Sequence, residues 1–201
     1  MSIVSNKHTV FASIFALFIL SACAVTPPLP KAKINGMYQI AGAKVYSPNE
    51  RGWYLVNHTV DSIAFGLIPV GSASSVAGAN TFFVGEENAS DSEFIDLIIA
   101  RRNQSEEDSR WKNQMVENTK VNFKGNSCFT YNTLVEDHQS QSKSTKDFQY
   151  FSTIGKICRH PFNKSIAIQV EVSHRSDVKE MPKEIKAVAG QFLETFELVD
   201  N

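Results

Sequence analysis

Two segments that each combine a strand-like composition with a single cysteine constrain this chain most. Residues 127–138 and 148–158 are rich in aromatic and β-branched types, and a polar stretch, Gln139–Asp147, separates them. This reads as two strands and an exposed loop. If the strands pair antiparallel with His138 opposite Phe148, the residue numbers of every opposed pair add to 286, and Cys128 faces Cys158. Directly opposed residues have Cα atoms ~4.5–5.5 Å apart, a separation that a disulfide accepts.

The start of the chain sets the compartment in which those thiols would meet. Lys7 precedes an apolar core, Val10–Leu20, and small residues follow it up to Cys23. These are the parts of a secretory signal, and the core is well short of the ~20 residues of a membrane-spanning helix. Leu20-Ser21-Ala22-Cys23 resembles the lipobox of bacterial lipoproteins. The resemblance implies removal of residues 1–22, a diacylglycerol on the Cys23 sulfur and a further acyl chain, such as palmitate, on its new amino group. Two or more chains anchor a protein stably, whereas one does so only marginally. Ala24 stands where lipoproteins retained in the inner membrane often carry Asp, so the expected location is the outer membrane, facing the periplasm. Residues 23–35 contain Pro27, Pro28 and Pro30 and read as a semi-extended tether, with an irregular arm packed on the domain as the alternative, followed by one domain over 36–201.

With Cys23 lipidated, Cys128 and Cys158 are left as an even pair in an oxidising compartment, and a disulfide is expected. A metal site that includes His160 is the alternative, but no Cys-x-x-Cys or His-x-x-x-His spacing supports it. No cofactor motif is present either. The chain carries 20 Lys and Arg against 21 Asp and Glu, and no basic stripe points to nucleic acid.

The remaining elements follow from periodicity. Trp53–Val56 and Ser62–Phe65 read as strands joined by a polar turn, and Thr81–Val84 as a third. The Ser, Gly and Ala of Pro69–Gly78 read as a loop. Ser90 with Glu93 makes a capping-box pattern ahead of Phe94, Leu97, Ile98 and Arg101 at helical spacing. Glu106–Asp108 with Arg110 and Trp111 reads as the opening of a second, shorter helix. Ile166, Ile168, Val170 and Val172 alternate with partners of mixed polarity, the strongest strand signal in the chain. A helix from near Pro182 places Ile185, Val188, Ala189, Phe192 and Phe196 on one stripe. The expected fold class is α+β: a mainly antiparallel sheet with packed helices, including an amphipathic C-terminal one.

Several short pieces, among them Pro48–Trp53, Ile63–Gly66, Cys158-Arg159-His160-Pro161 and Ser173-His174-Arg175, resemble a group of bacterial lipoproteins with no assigned activity. In element order the chain also resembles the PsbP/Mog1-type α/β/α sandwich. That likeness implies an accessory or scaffold role, although a fold by itself carries little functional weight.

Arg159, His160, His174 and Arg175 are placed by this reading at neighbouring strand ends. Two guanidiniums there would suit a small anion or carboxylate; otherwise the four satisfy backbone groups and acidic neighbours at a hairpin end. No nucleophile elbow, phosphate loop or metalloprotease histidine pair occurs, so no catalytic residue is nominated. The expected function is a non-catalytic accessory or binding role at the envelope, anchored through lipid and directed at an envelope protein partner. A small anionic-ligand module and an envelope hydrolase are the alternatives.

Overall fold

The structure, a computed structural model, describes residues 28–85, 89–104, 110–140 and 146–200. The leader and Cys23 lie outside them. Ten strands and two helices are present among the described residues: β1 (Met37–Ile40), β2 (Ala43–Tyr46), β3 (Trp53–His58), β4 (Ser62–Val70), β5 (Ala73–Phe83), α1 (Asp91–Gln104), β6 (Trp111–Phe123), β7 (Asn126–Asp137), β8 (Gln149–Arg159), β9 (Ile166–Ser176), α2 (Lys183–Thr195) and β10 (Glu197–Leu198). Seven strands form one sheet in the order β3-β4-β5-β9-β8-β7-β6, every neighbour antiparallel. A small second sheet, β1-β2-β10, packs beside α2. The fold is α+β.

Alternation along the central strands sorts side chains to two helices on opposite faces. Ile168, Val170 and Val172 of β9 join Ala77 and Ala79 of β5 against Ile185, Val188, Ala189 and Phe192 of α2. The other face brings Phe129, Tyr131 and Ile157 against Phe94, Ile95 and Ile98 of α1. The helix at 91–104 begins as its capping box dictates. The Ser90 backbone N–H donates to Glu93 Oε2 (2.8 Å), and the Glu93 N–H donates to Ser90 Oγ (3.3 Å). At the end of α2, Lys156 is 3 % exposed and donates to the Leu193 carbonyl (2.9 Å) and to Glu194 (2.7 Å). A cation suits the carbonyl end of a helix dipole, although burial pushes this ammonium's pKa down.

The β7–β8 register is the one that the cysteines require: Cys128 faces Cys158, Thr133 faces Thr153 and Asp137 faces Gln149. The two sulfurs are bonded. The His138 and Phe148 rings lie 5.2 Å apart, just beyond the last ladder pair.

Three expectations are corrected. Residues 69–78 are not a loop: β4 runs to Val70, a turn follows at 71–72, and β5 continues from Ala73. β5 is an interior strand between β4 and β9, and its small residues are what allow Ala77 and Ala79 to sit fully within the core. Trp111 opens a long strand, and Glu106–Asp108 of the expected second helix lie outside the described residues. β6 is the edge of the large sheet and mostly exposed, so it carries no strong apolar alternation. Its hairpin turns at Lys124-Gly125, both with positive φ (50° and 83°), where glycine removes the Cβ penalty. Finally, the described part of the expected tether is docked. The Leu55 N–H donates to the Pro30 carbonyl (2.8 Å) and the Ala32 N–H to the Trp53 carbonyl (3.0 Å), so residues 30–32 lie along the outer edge of β3.

Candidate functional site

Of the four residues nominated for an anion pocket, the fold brings no such set together. Arg159 stands opposite Ala167 and Arg175 opposite Phe151, eight ladder positions apart, or about 26 Å along the strands. Antiparallel pairing is the cause: the end of β8 lies beside the start of β9, so residues near the end of each strand are at opposite rims. Each of the four has internal partners. Arg159 is 3 % exposed and donates to the carbonyls of Ala89 (2.7 Å) and Lys164 (3.1 Å) and to Asp91 Oδ1 (2.9 Å). Its guanidinium carbon lies 4.6 Å from the centre of the Phe94 ring. Ser127's hydroxyl, followed by Arg159 and nearby cations, holds the Asp91 carboxyl below its usual pKa. His160 accepts the Asn163 backbone N–H on Nδ1 (2.8 Å), which leaves Nε2–H to donate to the Val199 carbonyl (2.9 Å). His174 meets Ser75 Oγ through Nδ1 (2.9 Å), and burial lowers its pKa.

The Ser75–His174 contact resembles part of a nucleophile–base pair. Ser75 and His174 are directly opposed on neighbouring strands, and both are buried. Among the described residues no carboxylate hydrogen-bonds the other imidazole nitrogen. The contact ties β5 to β9 across the sheet.

Two concavities have the character of sites. The first is an apolar groove of about 520 Å³ on the side of β3–β5 away from α2. Pro28 and Leu29 of the N-terminal arm line it with Val56, Ile68 and Val76. The last three and Leu29 are 40–58 % exposed, a cluster of exposed aliphatics on one sheet face. The second is a polar cleft of about 300 Å³ on the α1 side, crossed by β6, β7, β8 and β9. Its floor is formed by Thr133, Thr153, Gln169 and Glu171, and its wall by Trp111 and Phe151.

The cleft is built on a fixed hydrogen-bond network. Tyr131 is 2 % exposed, and its hydroxyl donates to Glu171 Oε2 at 2.5 Å. Gln169 Nε2 donates both to Tyr131 Oη (2.8 Å) and to Glu171 Oε2 (2.7 Å). Burial, then the Glu171 charge, pushes the Tyr131 pKa well up, so this hydroxyl stays a donor. Arg102 covers the Tyr131 ring at 3.8 Å. At the far end, Asp137 is fully buried and accepts Arg110 at two oxygens (2.8 Å each) and Arg175 (2.9 Å). Those bonds, with Arg110 first, hold its carboxyl below the usual range. The two arginines in turn back the cleft wall, Arg110 over Trp111 (4.4 Å) and Arg175 over Phe151 (5.1 Å). Arg175 thus supports the wall of this cleft, while His174 lines, with Ser75, a small separate concavity beside Pro182 and Ile185.

Neither a family model nor a curated protein matches this chain. Solved structures do. The chain is distantly similar to the Ran-binding protein Mog1p of Saccharomyces cerevisiae, with 13 % identity and a TM-score of 0.46 over 86 % of this chain and 97 % of that one. It is also similar to cyanobacterial PsbP from Synechocystis, with 12 % identity and a TM-score of 0.47 over 90 % of this chain and 99 % of that one.

The cleft network was within reach of the sequence. The register that pairs Cys128 with Cys158 also pairs Thr133 with Thr153, and alternation from Cys128 puts Tyr131 on the same face as Thr133. What no pattern supplied was the placement of Glu171 and Gln169 beside them, which needs the β8–β9 register as well.

Proposed function

We propose that this chain is a lipid-anchored envelope protein with a non-catalytic binding role, and that the apolar groove on β3–β5 receives an envelope protein partner. The observation that carries this reading is the groove itself: exposed Leu29, Val56, Ile68 and Val76 around a concavity within the ordinary size range of binding sites. The lipobox-like Leu20–Cys23 supplies the anchor. Pro30 is hydrogen-bonded to the domain, so six residues separate it from Cys23, a span of about 25 Å at full extension. An anchored domain on so short a spacer meets partners at the membrane surface rather than deep in the periplasm.

The anion-pocket alternative loses its residues, because Arg159, His160, His174 and Arg175 do not converge.

Two experiments test the reading separately. For the anchor, mass spectrometry of the mature amino-terminal peptide should find acyl chains on Cys23, and Cys23→Ser should release the protein from the membrane fraction. An unmodified Cys23 in membrane-free protein rejects the anchor. For the groove, a photo-crosslinking residue placed at Val56 or Ile68 in cells should give one discrete protein adduct that Val76→Asp abolishes. Adducts that are equally abundant from a residue on the exposed edge strand, such as Lys112, reject the groove as the docking site.

A further inference from the structure

We propose that the polar cleft on the α1 side of the sheet is a binding site for a neutral sugar ring. The inference does not depend on the anchor or on the groove, which lies on another part of the sheet.

The argument starts from which polar atoms the fold leaves open. Glu171 Oε2 is fixed by Tyr131 and Gln169, while Glu171 Oε1 has no hydrogen-bond partner among the described residues. Both N–H groups of the Gln169 amide are used, on Tyr131 and Glu171, so its carbonyl oxygen remains as an acceptor. The hydroxyls of Thr133 and Thr153, side by side on β7 and β8, have no partner among the described residues, although both residues are almost fully buried. These hydroxyls are not sealed in: they line the cleft. A floor of two hydroxyls, a carboxylate oxygen and an amide carbonyl is rich in acceptors, with hydroxyl donors beside them. That pattern complements a ligand with several adjacent O–H groups.

The wall selects the rest of the ligand. Trp111 and Phe151 stand 5.6 Å apart and are both part-exposed. Aromatic faces carry negative charge density and favour the C–H side of a pyranose over a flat polar group. Each ring has an arginine guanidinium over it, Arg110 on Trp111 and Arg175 on Phe151.

Charge argues against the other small ligands. An anion would meet the Glu171 carboxylate in the cleft, and Arg110 and Arg175 are already paired with Asp137; Arg102, stacked on the Tyr131 ring, is the lining cation that phosphate in the titration below tests. An amine would find one carboxylate with an open oxygen, Glu171, with Arg102 near it and two further arginines behind the wall. The balance of three guanidiniums against Glu171 and Asp137 disfavours an added cation. A neutral polyol with one apolar face satisfies floor and wall together, and the cleft volume suits one ring rather than a long chain.

Tryptophan fluorescence reads the cleft directly. Trp53 is 2 % exposed in the α2-side core, so a ligand-dependent change belongs to Trp111. The full-length mature protein is titrated with glucose, galactose and N-acetylglucosamine, and with inorganic phosphate and ethylamine as charged controls. At least one sugar should give a saturable change with a Kd in the millimolar range, roughly 1–10 mM, as expected of a single small ring. Glu171→Gln and the Thr133→Val, Thr153→Val pair preserve shape and should each weaken it about tenfold or more. Gly190→Ala, on α2 with open space around it, should leave it unchanged. Backbone amide shifts of the same samples locate the ligand and confirm that each variant is folded. No saturable response to any of the three sugars overturns the proposal. So does tighter binding of phosphate or ethylamine, or sugar binding that persists in both floor variants.

Discussion

Gly155→Ala is the sharpest test of the packing that holds the cleft. Gly155 lies inside β8 opposite Tyr131, with no positive φ, so the backbone would accept alanine and a strand would ordinarily prefer it. The obstacle is Tyr131. A Cβ at position 155 would stand inside the van der Waals envelope of the ring's Cζ and hydroxyl oxygen and 2.6 Å from Cε2. The ring is 2 % exposed and capped by Arg102, so it has nowhere to shift without leaving its site. Overpacking of this kind costs about 1–3 kcal/mol, and the Tyr131–Glu171 hydrogen bond, which would break, is worth about 1.5–3 kcal/mol because its acceptor is charged. The expected loss is therefore about 3–5 kcal/mol in denaturant unfolding. For a domain of this size that corresponds to a fall in Tm of roughly 6–20 °C. A double-mutant cycle with Tyr131→Ala separates this cause from a general weakness of β8. In the background that lacks the ring, Gly155→Ala should be close to neutral, whereas Tyr131→Phe should not relieve it because Cζ remains. If Gly155→Ala destabilises equally with and without the Tyr131 ring, the steric reasoning is wrong.

Three further outcomes are expected. Replacing both cysteines of the Cys128–Cys158 bridge with alanine should lower stability by about 3–4 kcal/mol under oxidising conditions, from a sequence separation of 30, and reductant should then have no further effect on the variant. Arg159→Ala removes one charge-assisted bond to Asp91 and two to carbonyls from a buried site, and should cost about 2–4 kcal/mol in chemical denaturation while leaving the Trp111 response to sugars intact. Burial lowers the His174 pKa in the folded state, so the unfolded chain binds the extra proton first. The contribution of the neutral imidazole is complete above 6.5 and is lost as pH falls through the lower folded value, and His174→Gln should flatten that part of the stability–pH curve. An unchanged slope in the variant would assign the acid sensitivity to other groups.

How far the sequence carried the fold depended on the signal each strand emits. The register of β7 on β8 was legible to the residue, and their ends to within one, because an antiparallel hairpin around residues 139–147 puts Cys128 opposite Cys158. β9 and α2 carried clean periods of two and 3.6, and Ser90 with Glu93 announced α1. β5 was hidden because Gly and Ala are depleted in strands and Ser favours turns, yet an interior strand beneath a helix accommodates small side chains such as Ala77 and Ala79. β6 was hidden for the opposite reason: an edge strand open to water can be almost wholly polar. The nominated arginines and histidines do not form a group because closeness in sequence to strand ends does not imply closeness in space. Two successive antiparallel strands end at opposite rims, and that geometry sends Arg159 toward α1 and Arg175 toward Asp137. Glu171 went unnoticed because it looked like the wet half of an alternating strand.

The strip of chain at 30–32 has a practical consequence for anyone who trims this protein. It covers the backbone rim of β3, while β6 at the other margin is broken up by Lys112, Glu117 and Lys120. Cutting before residue 36, as the prolines at 27, 28 and 30 invite, would strip one rim bare and leave its donors and acceptors to be met by a second molecule. A shortened product that gels or dimerises would then report an uncapped margin, not a defect in the core.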